Sequence, residues 1–591
     1  MRERGANVDD WSWRATARRI STLARLTAPY KLRTALVIVF LLAATAAALA
    51  PPYLAKLAID RGIKHEDLRA LWIIAALFVG AGLATIGTSY AQMYFTGWTG
   101  ERILADLRNQ LFRHLQRLSL GFYERNRAGV IISRLTNDVE ALDQLVTDGV
   151  TSLVQNTLTL VGSAIILFFL DWRLALATIT VVPFVGWATA LFRKHSARAY
   201  RQVRERLGLV TATLAEDISG MRVVQAFTRE PASERNFREV NLRYREANQR
   251  TILLNGLYFP TVDFLSAIAT AIVLGYGGYL VFGGSMTAGT LFAFVGYLSN
   301  FFDPVQQLSQ LYNTFLSAVA ALDKIMDVLD EEPEVLDRPG ALELPHIEGH
   351  VRFEDVTFGY GTGPEVLHGI SLDVPTGTTV ALVGHTGAGK STIAKLLARF
   401  YEPREGRITI DGHDLNDVTQ ASLRRQLGVV PQEGFLFAGT VRDNIAFGKP
   451  DASDDEIVRA AKTVGAHDFV VQLEDGYETN LQERGTRLSS GQRQLVALAR
   501  ALLADPRILI LDEATSSVDI GTERKIESAL GLLLSGRTAF IIAHRLSTIR
   551  NADLIVVLEH GKIVEQGSHD ELLARRGLYT SLYGDWAAQV A

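Results

Sequence analysis

The chain has 591 residues, more than one hydrophobic core organises, so at least two domains are expected. A net charge of −4, from 60 Lys and Arg against 64 Asp and Glu, argues against nucleic acid as a partner. With no cysteine, disulfides, thiol catalysis and cysteine-ligated metal sites are excluded.

In chain order, residues 1–30 mix Trp11, Trp13, Arg14, Arg18, Arg19, Leu23, Arg25 and Leu26, a composition that suits a helix lying in the lipid headgroup region. No short apolar core with a small-residue cleavage site precedes it, so it does not read as a cleavable signal. Uncharged runs follow at 34–55, 70–100, 149–170, 174–192 and 264–302. Each is near or above the ~20 residues a helix needs to cross a bilayer, and the last is long enough for about two crossings. The glycine-rich stretch 283–289 supplies the turn between them, and 251–262 extends the fifth helix at its start. The expectation is six transmembrane helices within 31–330.

Arginines 102, 108, 113, 117, 125, 127 and 134 lie between the second and third runs, and Arg193, Lys194, Arg198, Arg201, Arg204 and Arg206 between the fourth and fifth. By the positive-inside rule these segments and both termini face the cytosol. Leu111, Leu115, Leu118 and Phe122 recur along one face, so the segments read as helices continuing out of the membrane. Asp263 and Asp303 fall at membrane depth, where an acid lines a cavity, contacts a cationic amphiphile or bonds a neighbouring helix. Glu332-Pro333 and Arg338-Pro339-Gly340 interrupt helical patterning and mark a linker at 331–349. A second domain then occupies 350–591.

Within that domain, the apolar run 379–383 reads as a buried strand. It leads into Gly384-His385-Thr386-Gly387-Ala388-Gly389-Lys390-Ser391, which fits the phosphate-loop pattern GxxxxGK[ST]. Glycines let backbone N–H groups converge on a triphosphate, Lys390 reaches the terminal phosphates, and Ser391 places a hydroxyl for Mg²⁺ at the start of a helix over 391–400, with Thr392 next in line. The run 508–511 reads as a parallel strand ending in Asp512-Glu513. Asp512 is suited to hold Mg²⁺ through water, and Glu513 to polarise the attacking water.

Taken together these residues resemble ATP-binding cassette (ABC) exporters with one membrane domain and one nucleotide domain per chain. The most specific element is Leu488-Ser489-Ser490-Gly491-Gln492, which is similar to the family signature LSGGQ ahead of a helix expected over 493–503. The resemblance implies a six-helix all-α transmembrane domain followed by an α/β P-loop nucleotide-binding domain. It implies that the signature caps ATP bound by the opposite nucleotide domain, that Tyr360 stacks on adenine, and that Gln432 contacts Mg²⁺ and the attacking water. Asp519 matches the loop that communicates across the dimer, and His544 the switch histidine at the γ-phosphate. Segments 122–139 and 216–230 resemble two intracellular loops, with coupling helices expected around 119–127 and 214–223.

Three positions depart from the pattern. Ala128 replaces a usual threonine, Gln482 a usual glycine in the loop carrying Glu483, and Ser490 a signature glycine whose missing Cβ lets backbone approach phosphate. An intact Glu513 beside an altered signature favours a heterodimer with a second ABC half-transporter over a homodimer. The resemblance therefore implies an integral membrane protein, expected in the inner (plasma) membrane of a prokaryotic cell. It would use ATP and Mg²⁺ to export an amphipathic or hydrophobic drug, lipid or peptide by alternating access. The competing readings are an exporter-fold importer, as for a siderophore, and an ATP-gated regulator or channel. Six spans exclude a soluble DNA-maintenance ATPase.

Overall fold

The computed structural model describes residues 27–432, 434–482, 485–512, 520–543 and 545–590. The expected headgroup-level helix, but for its last few residues, therefore lies outside the described residues, as do Glu483, Glu513, Asp519 and His544. The chain divides into two compact units: the described part of Met1–Gln116 with Ala128–Glu331, and Arg117–Arg127 with the described part of Glu332–Ala591.

Among its described residues the first unit is all-α. Its principal helices are α1 (Lys31–Leu57), α2 (Leu68–Leu115), α3 (Val150–Leu170), α4 (Trp172–Ile179), α5 (Val182–Ser219), α6 (Met221–Ala226), α7 (Glu230–Phe282) and α8 (Ala288–Leu329). Among the described residues, five helical stretches are long and apolar enough to cross a membrane: Ala28–Ile63, Leu68–Leu115, Ala128–Leu170, Trp172–Ser219 and Glu230–Phe282. At ~1.5 Å per residue, α2 and α7 reach roughly 70–80 Å, more than twice the ~30 Å hydrocarbon layer. The basic residues 193–206 accordingly sit within α5 rather than in a loop.

The run 264–302 splits where the glycines predict, with α7 ending at Phe282 and α8 starting at Ala288. Thr287 caps α8 through Thr290 N (3.2 Å), and Asp60 accepts from Thr287 Oγ1 at 2.7 Å and from Gly289 N at 3.1 Å. That carboxylate joins the π-helical turn Ala58–Ile63 after α1 to the start of α8. A Cβ at Gly277 would come within 2.5 Å of Leu291 Cδ1, so the small residue permits close approach of α7 and α8. On α2 the side chains of Trp72, Ile73, Leu77, Val79, Leu83 and Ile86 are exposed together, an apolar face fit for lipid. Asp263 on α7 accepts from Gln306 Nε2 on α8 at 2.8 Å, a helix-to-helix bond.

The short helix placed around 214–223 is instead Met221–Ala226, because α5 continues to Ser219 and Gly220 (φ −89°, ψ 6°) leaves helical geometry.

Among its described residues the second unit carries ten strands: β1 (Val351–Phe358), β2 (Leu367–Val374), β3 (Thr379–Val383), β4 (Glu405–Ile410), β5 (His413–Asp414), β6 (Leu427–Val430), β7 (Ile508–Asp512), β8 (Thr538–Ile542), β9 (Leu554–Glu559) and β10 (Lys562–Gly567). An antiparallel sheet runs β2-β1-β4-β5, and a larger one runs β10-β9-β3-β8-β7-β6, parallel except for β10. Val380, Ala381, Leu382 and Val383 are fully buried, as expected for a strand covered on both faces. Helices α9 (Lys390–Leu397), α10 (Ser490–Leu503) and α11 (Ile520–Leu534) belong to this unit.

Just past α9, Arg399 adopts φ 48°, a left-handed conformation costly for a residue with a Cβ. The turn positions a guanidinium that is only 1% exposed. It donates to Val418 O (2.5 Å), Leu336 O (3.2 Å) and Glu402 Oε1 (2.9 Å), satisfying a buried charge and pinning the segment after residue 332 to the end of α9.

Candidate nucleotide site

The loop after β3 leaves the C-terminal edge of the parallel sheet, where ligands of open α/β sheets bind. Two of its glycines are required by the surroundings. At Gly384 (φ 149°) a Cβ would lie 2.2 Å from Leu558 O, and at Gly389 (φ 105°) 2.6 Å from Leu367 Cδ2. The loop is thus a backbone cradle packed between β9 and β2, closed by the N-terminus of α9. Anions bind such a place through converging N–H groups and the helix dipole.

Lys390 is 8% exposed, and its Nζ donates to Gly384 O at 2.6 Å and His385 O at 3.1 Å. Burial pulls its ammonium below the ordinary lysine range, and the charge of Asp512 acts against that pull. Asp512 ends β7, one strand away from β3 across β8, with Asp512 opposite Ile542 and Leu382 opposite Ile542 in register. Ser391 is exposed on the first turn of α9, and Gln432 is exposed just beyond β6, the parallel neighbour of β7. The topology therefore brings Lys390, Ser391, Asp512 and Gln432 to one edge. Their hydroxyl, carboxylate and amide oxygens are the hard donors that suit Mg²⁺, which keeps few protein ligands alongside phosphates and water.

Tyr360, half-buried, follows β1. Its hydroxyl lies 3.0 Å from Thr392 Oγ1 on α9, and its ring meets Phe358 at 4.9 Å and Tyr401 at 5.1 Å, both edge to face. The aromatic expected at adenine is thus fastened to the phosphate-loop helix. His385, Thr386 and Gly387 form the exposed crest of the loop, with Ala388 buried beneath.

The signature segment forms its own motif. Ser489 Oγ accepts from Gln492 N at 3.2 Å while Gln492 Oε1 accepts from Ser489 N at 2.9 Å, a reciprocal capping box. The helix expected from Arg493 therefore starts at Ser490, because the cap lies three residues earlier. Ser490 is its first helical residue, half-buried, and Gly491 is buried. Gln482 holds φ 58°, the left-handed region that a glycine would enter freely.

Residues far from the phosphate loop in sequence also reach this region. The short helix Leu120–Arg125 belongs to the nucleotide unit, and Glu124 bonds Lys395 Nζ (2.8 Å) and the Tyr401 hydroxyl (2.7 Å). Its neighbour Arg125 pairs with Glu334. The segment around Phe122-Tyr123-Glu124 stands out in the sequence, but the partners of Glu124 lie 271 and 277 residues away.

A family model described as "ABC transporter transmembrane region" matches residues 34–305, and one described as "ABC transporter" matches 367–516. The chain is 41% identical to an ATP-dependent lipid A-core flippase of Syntrophus aciditrophicus, over 95% of this chain and 93% of the relative. It is 39% identical to the putative multidrug export ATP-binding/permease protein YgaD of Bacillus subtilis, over 94% and 97%. Among solved structures, that of a bacterial Atm1-family ABC exporter with ATP bound superposes with a TM-score of 0.79 at 34% identity, covering 95% of this chain and 99% of that one.

Proposed function

The chain belongs to the ABC transporters, and from that premise we propose that it exports an amphipathic or hydrophobic substrate as one half of a heterodimer, by alternating access. ATP binding and its hydrolysis coupled to transport come with the family itself. The observation that carries the reading is the glycine cradle with Lys390 and Asp512 at one sheet edge, in a chain whose other unit holds membrane-length helices.

In this proposal the loop 384–389 and Lys390 hold the phosphates, Tyr360 stacks on the base, and Thr392 steadies Tyr360. Ser391, Asp512 and Gln432 hold Mg²⁺, which neutralises phosphate charge when bound. Glu513 orients the attacking water, His544 meets the γ-phosphate, and Asp519 senses the opposite nucleotide domain. Ser489, Ser490, Gly491 and Gln492 cap the nucleotide of the partner chain. Six spans within 31–330 keep both termini cytosolic, and 331–349 links them to a nucleotide domain at 350–591. Relatives described as a lipid flippase and a multidrug exporter support an amphipathic cargo. For Asp263 the bond to Gln306 favours a helix-pairing role over substrate contact.

The heterodimer rests on Ser490, which sets a Cβ where the family signature has a glycine. Purified through a tag on this chain, the complex is expected to contain a second ABC polypeptide and to hydrolyse ATP in lipid nanodiscs. This chain alone is expected to show only the background of the Glu513→Gln variant. A single polypeptide with Glu513-dependent activity would establish a homodimer instead.

A further inference from the structure

Glu124 uses both carboxylate oxygens. Oε1 accepts from Lys395 Nζ at 2.8 Å and Oε2 from the Tyr401 hydroxyl at 2.7 Å. Both donors lie against one ring: Lys395 Nζ is 5.4 Å from the Tyr360 centroid, and Tyr401 stands edge-on to Tyr360 at 88°. Tyr401 is 6% exposed, and the third hold on Tyr360 is its hydroxyl contact with Thr392. Burial alone would lower the Lys395 pKa, but its hydrogen bond to Glu124, with the charge of that carboxylate and the contact with Tyr360, more than reverses this. Burial raises that of Tyr401, and Glu124 raises it further. The ammonium thus stays charged and the phenol stays a donor across the physiological range.

We infer that Glu124 is a positioning residue for the nucleotide base, holding Lys395 and Tyr401 so that Tyr360 presents a fixed, cation-backed ring to the purine of ATP. The inference rests on Tyr360 as the base-contacting aromatic. Glu124 suits the task because a carboxylate gives each donor its own charged oxygen. In Glu124→Gln the amide offers a single neutral acceptor oxygen and turns an N–H donor toward the other partner, so the charge-assisted bonds are lost while size and shape are kept. Cation–π and edge-to-face contacts are each modest, and their loss loosens the ring without disturbing the phosphate loop.

The test is nucleotide competition on the full complex in lipid nanodiscs, with MgATP and with inorganic tripolyphosphate, which has no base. For Glu124→Gln and Lys395→Met, ATP affinity is expected to fall about three- to tenfold, with tripolyphosphate affinity unchanged. The change should fall on KM for ATP more than on kcat, and Lys395→Arg should restore most of it. Equal losses for both ligands, or no loss for either, would overturn the inference. Tyr360→Ala separates the two levels. If it leaves the ATP to tripolyphosphate ratio untouched, the reading of Tyr360 fails and the inference with it. If it shifts the ratio while Glu124→Gln does not, the inference alone fails.

Discussion

Glu513→Gln is expected to lower ATP turnover by about a hundred- to ten-thousandfold, the range in which a positioned general base contributes, while ATP binding stays near wild type. The expectation follows from placement. β7 is a buried strand whose last residue, Asp512, reaches the same edge as the phosphate loop, and Glu513 is the next residue in the chain. Glutamine keeps the shape and one acceptor oxygen but is far too weak a base to take the proton from water. Phosphate-release kinetics together with fluorescent-nucleotide binding decide it. Turnover at the wild-type rate would remove Glu513 from the catalytic role and move the search to His544 or Gln432.

Lys390→Ala is expected to produce the opposite split, with ATP affinity down at least about a hundredfold and little change in melting temperature. Removing a buried, charge-assisted donor costs roughly 3 kcal/mol, which is about a hundredfold in a binding constant. The fold should tolerate the change. The apolar anchors of α9, Ile393, Leu396 and Leu397, are fully buried and independent of the ammonium, and alanine is the best helix former. Isothermal titration with MgATP, beside a thermal melt, separates lost affinity from lost fold. Undiminished binding would contradict the cradle as the phosphate site.

How much of this was legible in the sequence depended on how local the cause was. Strands β3 and β7 announce themselves as short apolar runs because parallel strands buried on both faces lose the alternation of half-exposed ones. The boundary between α7 and α8 was legible in glycine. The start of α10 lies three residues before the expected Arg493, and its signal, Ser489 followed by Gln492, is a capping box written in the sequence. The short helix Met221–Ala226 departs from the expected 214–223 because Gly220 ends α5 without a proline or a polar cap to mark it.

Long-range contacts left no local trace. Arg399 looks like any solvent-facing arginine after a helix, and its burial comes from carbonyls of Leu336 and Val418 that folding brings together. The bond from Tyr401 to Glu124 spans 277 residues and joins a phenol and a carboxylate from different motifs. No periodicity encodes such a pair. The membrane helices show a related effect: apolar length counts candidate spans, and five pass that test among the described residues. Ala288–Leu329 follows as a further 42-residue helix with Pro304 inside.

We propose that this chain couples ATP hydrolysis to outward movement of an amphipathic substrate. The most direct test is uptake of a cationic amphiphilic dye by inside-out membrane vesicles carrying the complex, with Glu513→Gln vesicles as control. Dye accumulation is expected to require MgATP and to disappear in the control. Accumulation independent of ATP, or ATP-driven dye movement out of the vesicles, would contradict it.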